Sequence, residues 1–447
     1  MEWLGQAKID FITSPQSLPL REKGDDGKAT SLLDVCRAAV PPCRLNPLLF
    51  NGHAQTMWTA VQKGAPPVHY KRRIFEADHR EFNGSFAVDF VVVPATSAEK
   101  EEESAVVDDS DDSDDAAAAA AAADGGGSAT ADDSLPPRTT YYSEGELAGL
   151  GSDDDRPMLV VLHGLSGGSH EVYLRHAIAP LIESGRWEGC VVNSRGCAKS
   201  KITTGILYNA RATWDVRQVV KWLRAKYPNR PLFGLGFSLG ACILTNYLGE
   251  EGSACQLKAA VVCANPWNLE VSSKELKRTL IGHHVYQRVL GTAMRKLSAT
   301  HKEEIEKYTA IDYAELTQLT YLWEFDRAYQ CPTWGYPTEE AYYRDASSVD
   351  SLLAVRVPLL AINAVDDPIA VRAALPCGEA AKNPYTVLCT TSLGGHLGWY
   401  EVTNFLNHMA FEVDLDSVDK DASGKPDLGT THTRFDPMRR RMFIYPD

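Results

Sequence analysis

Gly236-Phe237-Ser238-Leu239-Gly240 stands between the apolar run Pro231–Leu235 and the helix-like run Ala241–Leu248. A serine hydroxyl is a weak nucleophile. Chemistry at Ser238 therefore needs a sharp strand-to-helix turn that projects the side chain to where a base reaches it and backbone N–H groups meet a developing oxyanion. Glycine at 236 and 240 suits such an elbow, because without Cβ atoms the helix packs close to its strand while Ser238 holds a strained backbone. A bare G-x-S-x-G arises often by chance, so the surroundings must supply the rest.

Upstream, Pro157–Leu162 reads as a buried strand that runs into His163-Gly164-Leu165-Ser166-Gly167-Gly168 and then the helix-like Glu171–Leu181. This loop is placed to hold an oxyanion. One donor is expected to be the N–H of Leu239, just after the nucleophile, and the other the N–H of Leu165. The same glycines could form a plain βα turn or a phosphate cradle. The loop matches neither G-x-x-x-x-G-K-[ST] nor a dinucleotide fingerprint, which disfavours the cradle.

An elbow of this kind calls for its acid and base later in the chain, in the order serine, carboxylate, histidine. Val357–Asn363 is a predicted buried strand leading into Ala364-Val365-Asp366-Asp367-Pro368, and Tyr385–Cys389 is a further strand ending at Leu393-Gly394-Gly395-His396-Leu397-Gly398-Trp399. His396 would act as general base and Asp367 would fix its tautomer. Asp366 also qualifies. Asp367 is favoured because it stands directly before the proline that opens the loop, which leaves Asp366 as a turn or capping residue. His163 reads as a loop-shaping residue. In His170-Glu171-Val172-Tyr173-Leu174-Arg175-His176 the second histidine falls at i+6, whereas the zinc motif H-E-x-x-H needs i+4, so no metal site is predicted.

With these residues in view the chain resembles one branch of the α/β-hydrolase family. That branch holds mammalian abhydrolase-domain esterases and phospholipases, plant embryogenesis-associated EMB-type proteins, and yeast medium-chain fatty acid ethyl ester synthase/esterases. Besides the elbow, the resemblance rests on Asn51-Gly52-His53-Ala54-Gln55-Thr56, Asn193-Ser194-Arg195-Gly196-Cys197, Ala264-Asn265-Pro266-Trp267, Trp323-Glu324-Phe325-Asp326, Gly335-Tyr336-Pro337 and Tyr342-Tyr343-Arg344. It spans about residues 44–412. It implies Ser238, Asp367 and His396 as the triad, a mostly parallel central sheet flanked by helices with a helical cap, and esterase or acyltransferase activity on fatty acyl esters. The spacing alone implies only a serine hydrolase.

The organisation follows from composition. A chain of 447 residues with 44% hydrophobic content suits one large α/β domain with insertions. We expect an N-terminal arm over residues 1–43, the domain over 44–412, a helical cap over 268–350 and a polar tail over 413–447. From 97 to 155 the chain carries runs of glutamate, aspartate, alanine and glycine that cannot build a core, and it is expected to be extruded and mostly without structure. Ser110 and Ser113 lie there as candidate phosphorylation sites. Within the cap, helices are predicted over Ser273–Leu290 and Lys302–Tyr308. Trp323, Phe325, Tyr329, Trp334 and Tyr336 are candidate lid or pocket residues, though aromatics at such spacing are more often core.

The net charge of −14 disfavours nucleic acid as a partner. No run of 18 apolar residues and no secretory signal is seen, and the ten cysteines are scattered without a C-x-x-C pair, which fits reduced thiols in an intracellular protein. A peripheral contact with a membrane or lipid droplet stays open, with Trp3, Leu4, Ile9, Phe11 and Ile12 as weak candidates against a plain packed arm. No cofactor is called for. The expected substrate is an acyl ester or acyl-CoA, with an alcohol as a second acceptor if the acyl group is transferred rather than hydrolysed. The remaining reading is a catalytically silent scaffold.

Overall fold

The computed structural model describes residues 6–24, 27–93, 135–399, 401–418 and Met438. Its strands are β1 Ile9–Thr13, β2 Pro19–Arg21, β3 Ala29–Ser31, β4 His69–Glu76, β5 Ser85–Val92, β6 Thr139–Tyr141, β7 Met158–Leu162, β8 Glu188–Val192, β9 Leu232–Phe237, β10 Leu257–Cys263, β11 Leu359–Ala364 and β12 Thr386–Thr391. Ten of these make one sheet in the order β1-β12-β11-β10-β9-β7-β8-β5-β4-β6, and β2 and β3 form a small hairpin beside it. From β8 to β12 every pairing is parallel, while β5, β4 and β1 join antiparallel at the flanks.

Parallel strands need crossover connections, which lay helices on both faces and bury both sets of side chains. That is why β7 reads as the unbroken run Met-Leu-Val-Val-Leu. Val160 and Leu162 enter one core with helices α4 Trp214–Lys226 and α5 Leu239–Glu251, and Leu159 and Val161 enter the other with α1 Leu32–Ala39, α3 Val172–Glu183 and α6 Asn404–Phe411. Helix α2, Gly52–Val61, lies before β4.

The N-terminal segment is more than an arm. β1 pairs with β12 as an edge of the main sheet, and Ile9 and Phe11 pack on the core beneath it. These residues are thus committed to the fold and unavailable for the lipid contact considered above; Trp3 and Leu4 lie outside the described residues. The insertion also folds earlier than its composition suggests. Residues 97–134, with Ser110 and Ser113, lie outside the described residues, but β6 pairs in parallel with β4, and a short helix Glu144–Ala148 follows, closed by a capping box between Ser143 and Glu146. Several of the polar residues that argued for an extruded chain up to 155 are spent on partners distant in the sequence, as Glu146 is on Lys71. Asp154, for instance, grips Arg230, which holds its carboxyl well below the usual range. The C-terminal tail is described only to Val418 and at Met438.

Between β10 and β11 the cap comprises helices at Leu269–Arg278, Gln287–Ala299, Lys302–Tyr308, Tyr313–Gln318 and Glu339–Ala346 with shorter turns. The single helix expected over Ser273–Leu290 is broken at Thr279, whose hydroxyl accepts the Gly282 N–H and whose backbone is extended. A wide turn at Gly282–Tyr286 restarts it. The cap docks on the long connection from Ser194 to Thr213. His301 Nε2 bonds Gly196 O at 2.8 Å, Tyr329 OH donates to Gly205 O at 2.8 Å, and Tyr342 OH accepts the Ala210 N–H at 3.1 Å. Among the described residues no helix is long and apolar enough to cross a membrane.

Asp326 is buried in the cap, where its carboxylate accepts Tyr343 OH at 2.6 Å. Burial, with nearby Glu339 adding to it against Tyr343 and Lys277, pushes its pKa up to about 7. A raised folded pKa means stability that is full below the unfolded value and is lost as pH rises through 7. Asp326→Asn, close in shape to the protonated acid, is therefore expected to stabilise by roughly 4 kcal/mol at pH 8 and hardly at all near pH 4. Urea titrations at the two pH values check this; equal effects at both would refute it.

Candidate active site

The elbow forms as the spacing requires. Ser238 sits between β9 and α5 with φ +49° and ψ −117°, a region costly for any residue with a Cβ. A Cβ at Gly240 would lie 2.4 Å from the carbonyl oxygens of Leu162 and His163, and one at Gly236 would lie 2.8 Å from Ala241 Cα. Both glycines thus let α5 lie directly against β7 and β9. The Ser238 N–H donates to Cys263 O at 2.9 Å, which ties the turn to β10.

Ser238, His396 and Asp367 meet at the carboxyl ends of the parallel strands, where ligands bind in sheets of this kind. His396 Nε2 lies 2.9 Å from Ser238 Oγ and Nδ1 lies 2.7 Å from Asp367 Oδ2. A carboxylate facing Nδ1 calls for a proton there, which leaves Nε2 free to accept from the serine. Asp367 Oδ1 accepts the N–H groups of Ile369 at 2.7 Å and Ala370 at 2.9 Å, so the carboxylate cannot rotate without losing both. Asp366 does another job: its Oδ1 accepts the Gly395 N–H at 3.0 Å and braces the histidine loop. Burial, then the charge of Asp367, raises its pKa. Ser238 and His396 are 9% and 8% exposed, so the pair lies largely under cover.

The loop after β7 runs over the serine: a Cβ at Gly164 would be 3.5 Å from Ser238 Cβ. Two tyrosines hold it. The Gly164 N–H donates to Tyr173 OH at 2.8 Å and the Ser166 N–H to Tyr208 OH at 2.6 Å. Between them the Leu165 N–H, like that of Leu239 at the start of α5, has no acceptor among the described residues. His163 shapes the loop as expected, with Nδ1 2.7 Å from Gly164 O and Nε2 accepting the Ser194 N–H at 3.0 Å. Burial lowers its pKa to about 4, which keeps it neutral. Behind the loop, Asp89 on β5 holds Arg72 on the facing β4, accepts Ser169 OH at 2.5 Å and takes Asn193 Nδ2 at 2.7 Å.

Three contributors escape the sequence reading. Thr56 accepts the His396 N–H at 2.9 Å and donates to Gly52 O at 2.6 Å, so α2 clamps the histidine loop. Tyr208 joins the loop over Ser238 to the cap, since its hydroxyl also reaches Met294 Sδ at 3.5 Å. Tyr286 of the cap stacks on His53 of α2 and bonds its Nδ1 at 2.8 Å; burial and then the charge of Asp367 push the phenol up to about 12. The motif at Asn51–Thr56 was the one signal for the first of these. Of the candidate pocket aromatics, Phe325, Tyr329 and Trp334 are core, Tyr336 bonds Asp345, and Trp323 lies between Lys277 and Arg327. A cavity of about 280 Å³ opens at the far, amino-terminal ends of β7 and β8 between Trp187, Tyr227 and Arg230, away from these groups.

A family model described as the alpha/beta hydrolase fold matches residues 157–401. Among curated proteins, the chain is 35% identical to a monoacylglycerol lipase of Saccharomyces cerevisiae over 79% of this chain and 75% of that one. It is 37% identical to the medium-chain fatty acid ethyl ester synthase/esterase 2 of the same yeast, over 60% of this chain and 63% of the relative. It is 33% identical to human phospholipase ABHD3, over 55% and 59%. The last two matches thus span less than two thirds of those relatives' own length.

Proposed function

The chain belongs to the α/β hydrolase fold family, and from that premise we propose that it is a serine esterase that cleaves fatty acyl esters, of short to medium chain or of glycerolipids, through an acyl-enzyme. The observation that carries this reading is the unbroken hydrogen-bond chain from Ser238 through His396 to Asp367 beneath a loop with a free N–H. Ser238 Oγ attacks the ester carbonyl as its proton passes to His396 Nε2, and the C=O π electrons move onto oxygen. The Leu165 and Leu239 N–H groups hold that oxyanion. As the tetrahedral centre collapses, the bond to the alcohol oxygen breaks and His396 gives its proton to the leaving alcohol. Water then attacks the acyl-Ser238 by the same path in reverse and releases the acid. Nucleophile, base and oxyanion donors all come from the chain.

A second acceptor is favoured by two facts: Ser238 is nearly covered, and a relative carries the name of an ethyl ester synthase/esterase. With water restricted, an alcohol can take its place, and the product is a new ester. Hydrolysis of p-nitrophenyl esters from acetyl to dodecanoyl, with a parallel ethanol series, tests both. Ser238-dependent turnover with a chain-length optimum is expected. Ethyl ester formed in proportion to ethanol would establish transfer. No turnover and no labelling by a fluorophosphonate would leave a silent scaffold.

Thr56 supplies a further check. Thr56→Val keeps the shape but deprives the His396 N–H of its acceptor, and the loop loses its hold on the ring. We expect kcat to fall about 10- to 30-fold with KM little changed, as befits about 1.5–2 kcal/mol of lost positioning. Thr56→Ser should restore most of it. A matched loss in both variants, or a rise in KM alone, would contradict the assignment.

A further inference from the structure

Helix α2 is built inside out. Its inward face carries Gly52, Gln55 and Thr56, of which Gln55 bonds Leu49 O and Thr56 bonds Gly52 O and the histidine loop through their side chains, whereas its outward face carries exposed Met57, Trp58 and Val61. A helix on a globular surface ordinarily does the reverse. The loop just before it adds Leu48 and Phe50, 81% and 66% exposed, so a 14-residue stretch holds five of the eleven large apolar side chains exposed among the described residues. Contiguous exposed apolar surface of this kind marks a binding face.

Charge says what would sit there. The protein has a net charge of −14, yet from Val35 to Phe75 it contains no aspartate or glutamate. Arg44 and Lys63, on either side of the apolar stretch, are exposed and make no ion pair among the described residues. Apolar side chains flanked by unpaired cations match a bilayer whose headgroups are anionic. The place fits as well, because the opposite face of the same helix bonds the loop of His396, and its His53 stacks on Tyr286 of the cap.

We propose that the outer face of α2 and its leading loop form a docking surface for an anionic lipid bilayer, set directly beside the catalytic histidine loop. Phe50, Met57 and Trp58 enter the headgroup layer while Arg44 and Lys63 meet lipid phosphates. The purpose rests on the esterase reading, but the binding does not, and the two fail separately.

The test is co-sedimentation of the full chain carrying Ser238→Ala with vesicles of phosphatidylcholine alone and of equimolar phosphatidylcholine and phosphatidylglycerol. Binding to the mixed vesicles is expected. Phe50→Ser and Trp58→Ser should each weaken it about tenfold, and Arg44→Gln and Lys63→Gln about fivefold each, with the charge effect vanishing in high salt. On the Ser238 background the same four variants should melt as the parent does and turn over p-nitrophenyl acetate at its rate. Failure of the parent to bind, or binding indifferent to Phe50 and Trp58, would overturn the proposal. So would a dimer in light scattering that Trp58→Ser dissolves, since the face would then belong to a second copy of the chain. Because binding is read on inactive protein, loss of esterase activity cannot imitate any of these results.

Discussion

Ser238→Ala is expected to lower kcat for ester cleavage by about a million-fold and to abolish fluorophosphonate labelling, with the thermal melt unchanged. The change removes Oγ alone. The Cβ, the strained backbone and the approach of α5 to β7 all stay, so nothing that holds the elbow is lost. What is lost is the atom 2.9 Å from His396 Nε2, with which the other groups act as a unit. The oxyanion donors and bound substrate should leave a residue of about 1000- to 10,000-fold over water. Retention of more than about a thousandth of the parent activity would mean that another group attacks the ester.

Asp367→Asn should cost about 10,000-fold, and the structure says why the amide cannot rescue itself by flipping. The Oδ1 position accepts two backbone N–H groups, from Ile369 and Ala370, so the amide oxygen is drawn there and the NH2 is driven toward His396 Nδ1. A donor at that position forces the ring proton onto Nε2, which then faces Ser238 Oγ as a donor and cannot take its proton. Asp366→Asn, one residue away, still offers an oxygen to the Gly395 N–H and relieves a partly buried carboxylate, so kcat should hold within about threefold, the loss of a weak bond at most. Steady-state kinetics of the two variants side by side decides the matter. Equal losses would shift the acid's role onto the pair of aspartates.

The three residues of the proposed triad were legible as a group because buried parallel strands read as apolar runs and each of them sits at the end of one. Ser238 follows β9, Asp367 follows β11 and His396 follows β12, and glycines mark two of those three loops. Thr56 was not legible in its role, since its partner is 340 positions away and nothing periodic links them. Tyr208 lies in the long connection from β8 to α4, where isolated turns alternate with backbone groups that bond side chains of the cap, and no pattern betrays such a loop. The break at Thr279 escaped because helical periodicity runs on through it; a side-chain hydroxyl, not a proline, ends the helix. Composition likewise misjudged residues 135–155, where charge is consumed in pairs that only the fold brings together.

The pairing of β1 with β12 sets an order of events during synthesis. Residues 9–13 meet residues 387–391, so the first strand of the sheet emerges from the ribosome long before β12, its neighbour in the sheet, exists. At ~5–20 residues per second the wait is roughly 20 to 80 s. Through that interval Ile9, Phe11 and Ile12 present an unpaired apolar strand, the kind of edge that recruits other chains or chaperones. The loop of His396 comes later still, so the hydrogen-bonded set of Ser238, His396 and Asp367 stays incomplete in every nascent chain until β12 is laid between β11 and β1.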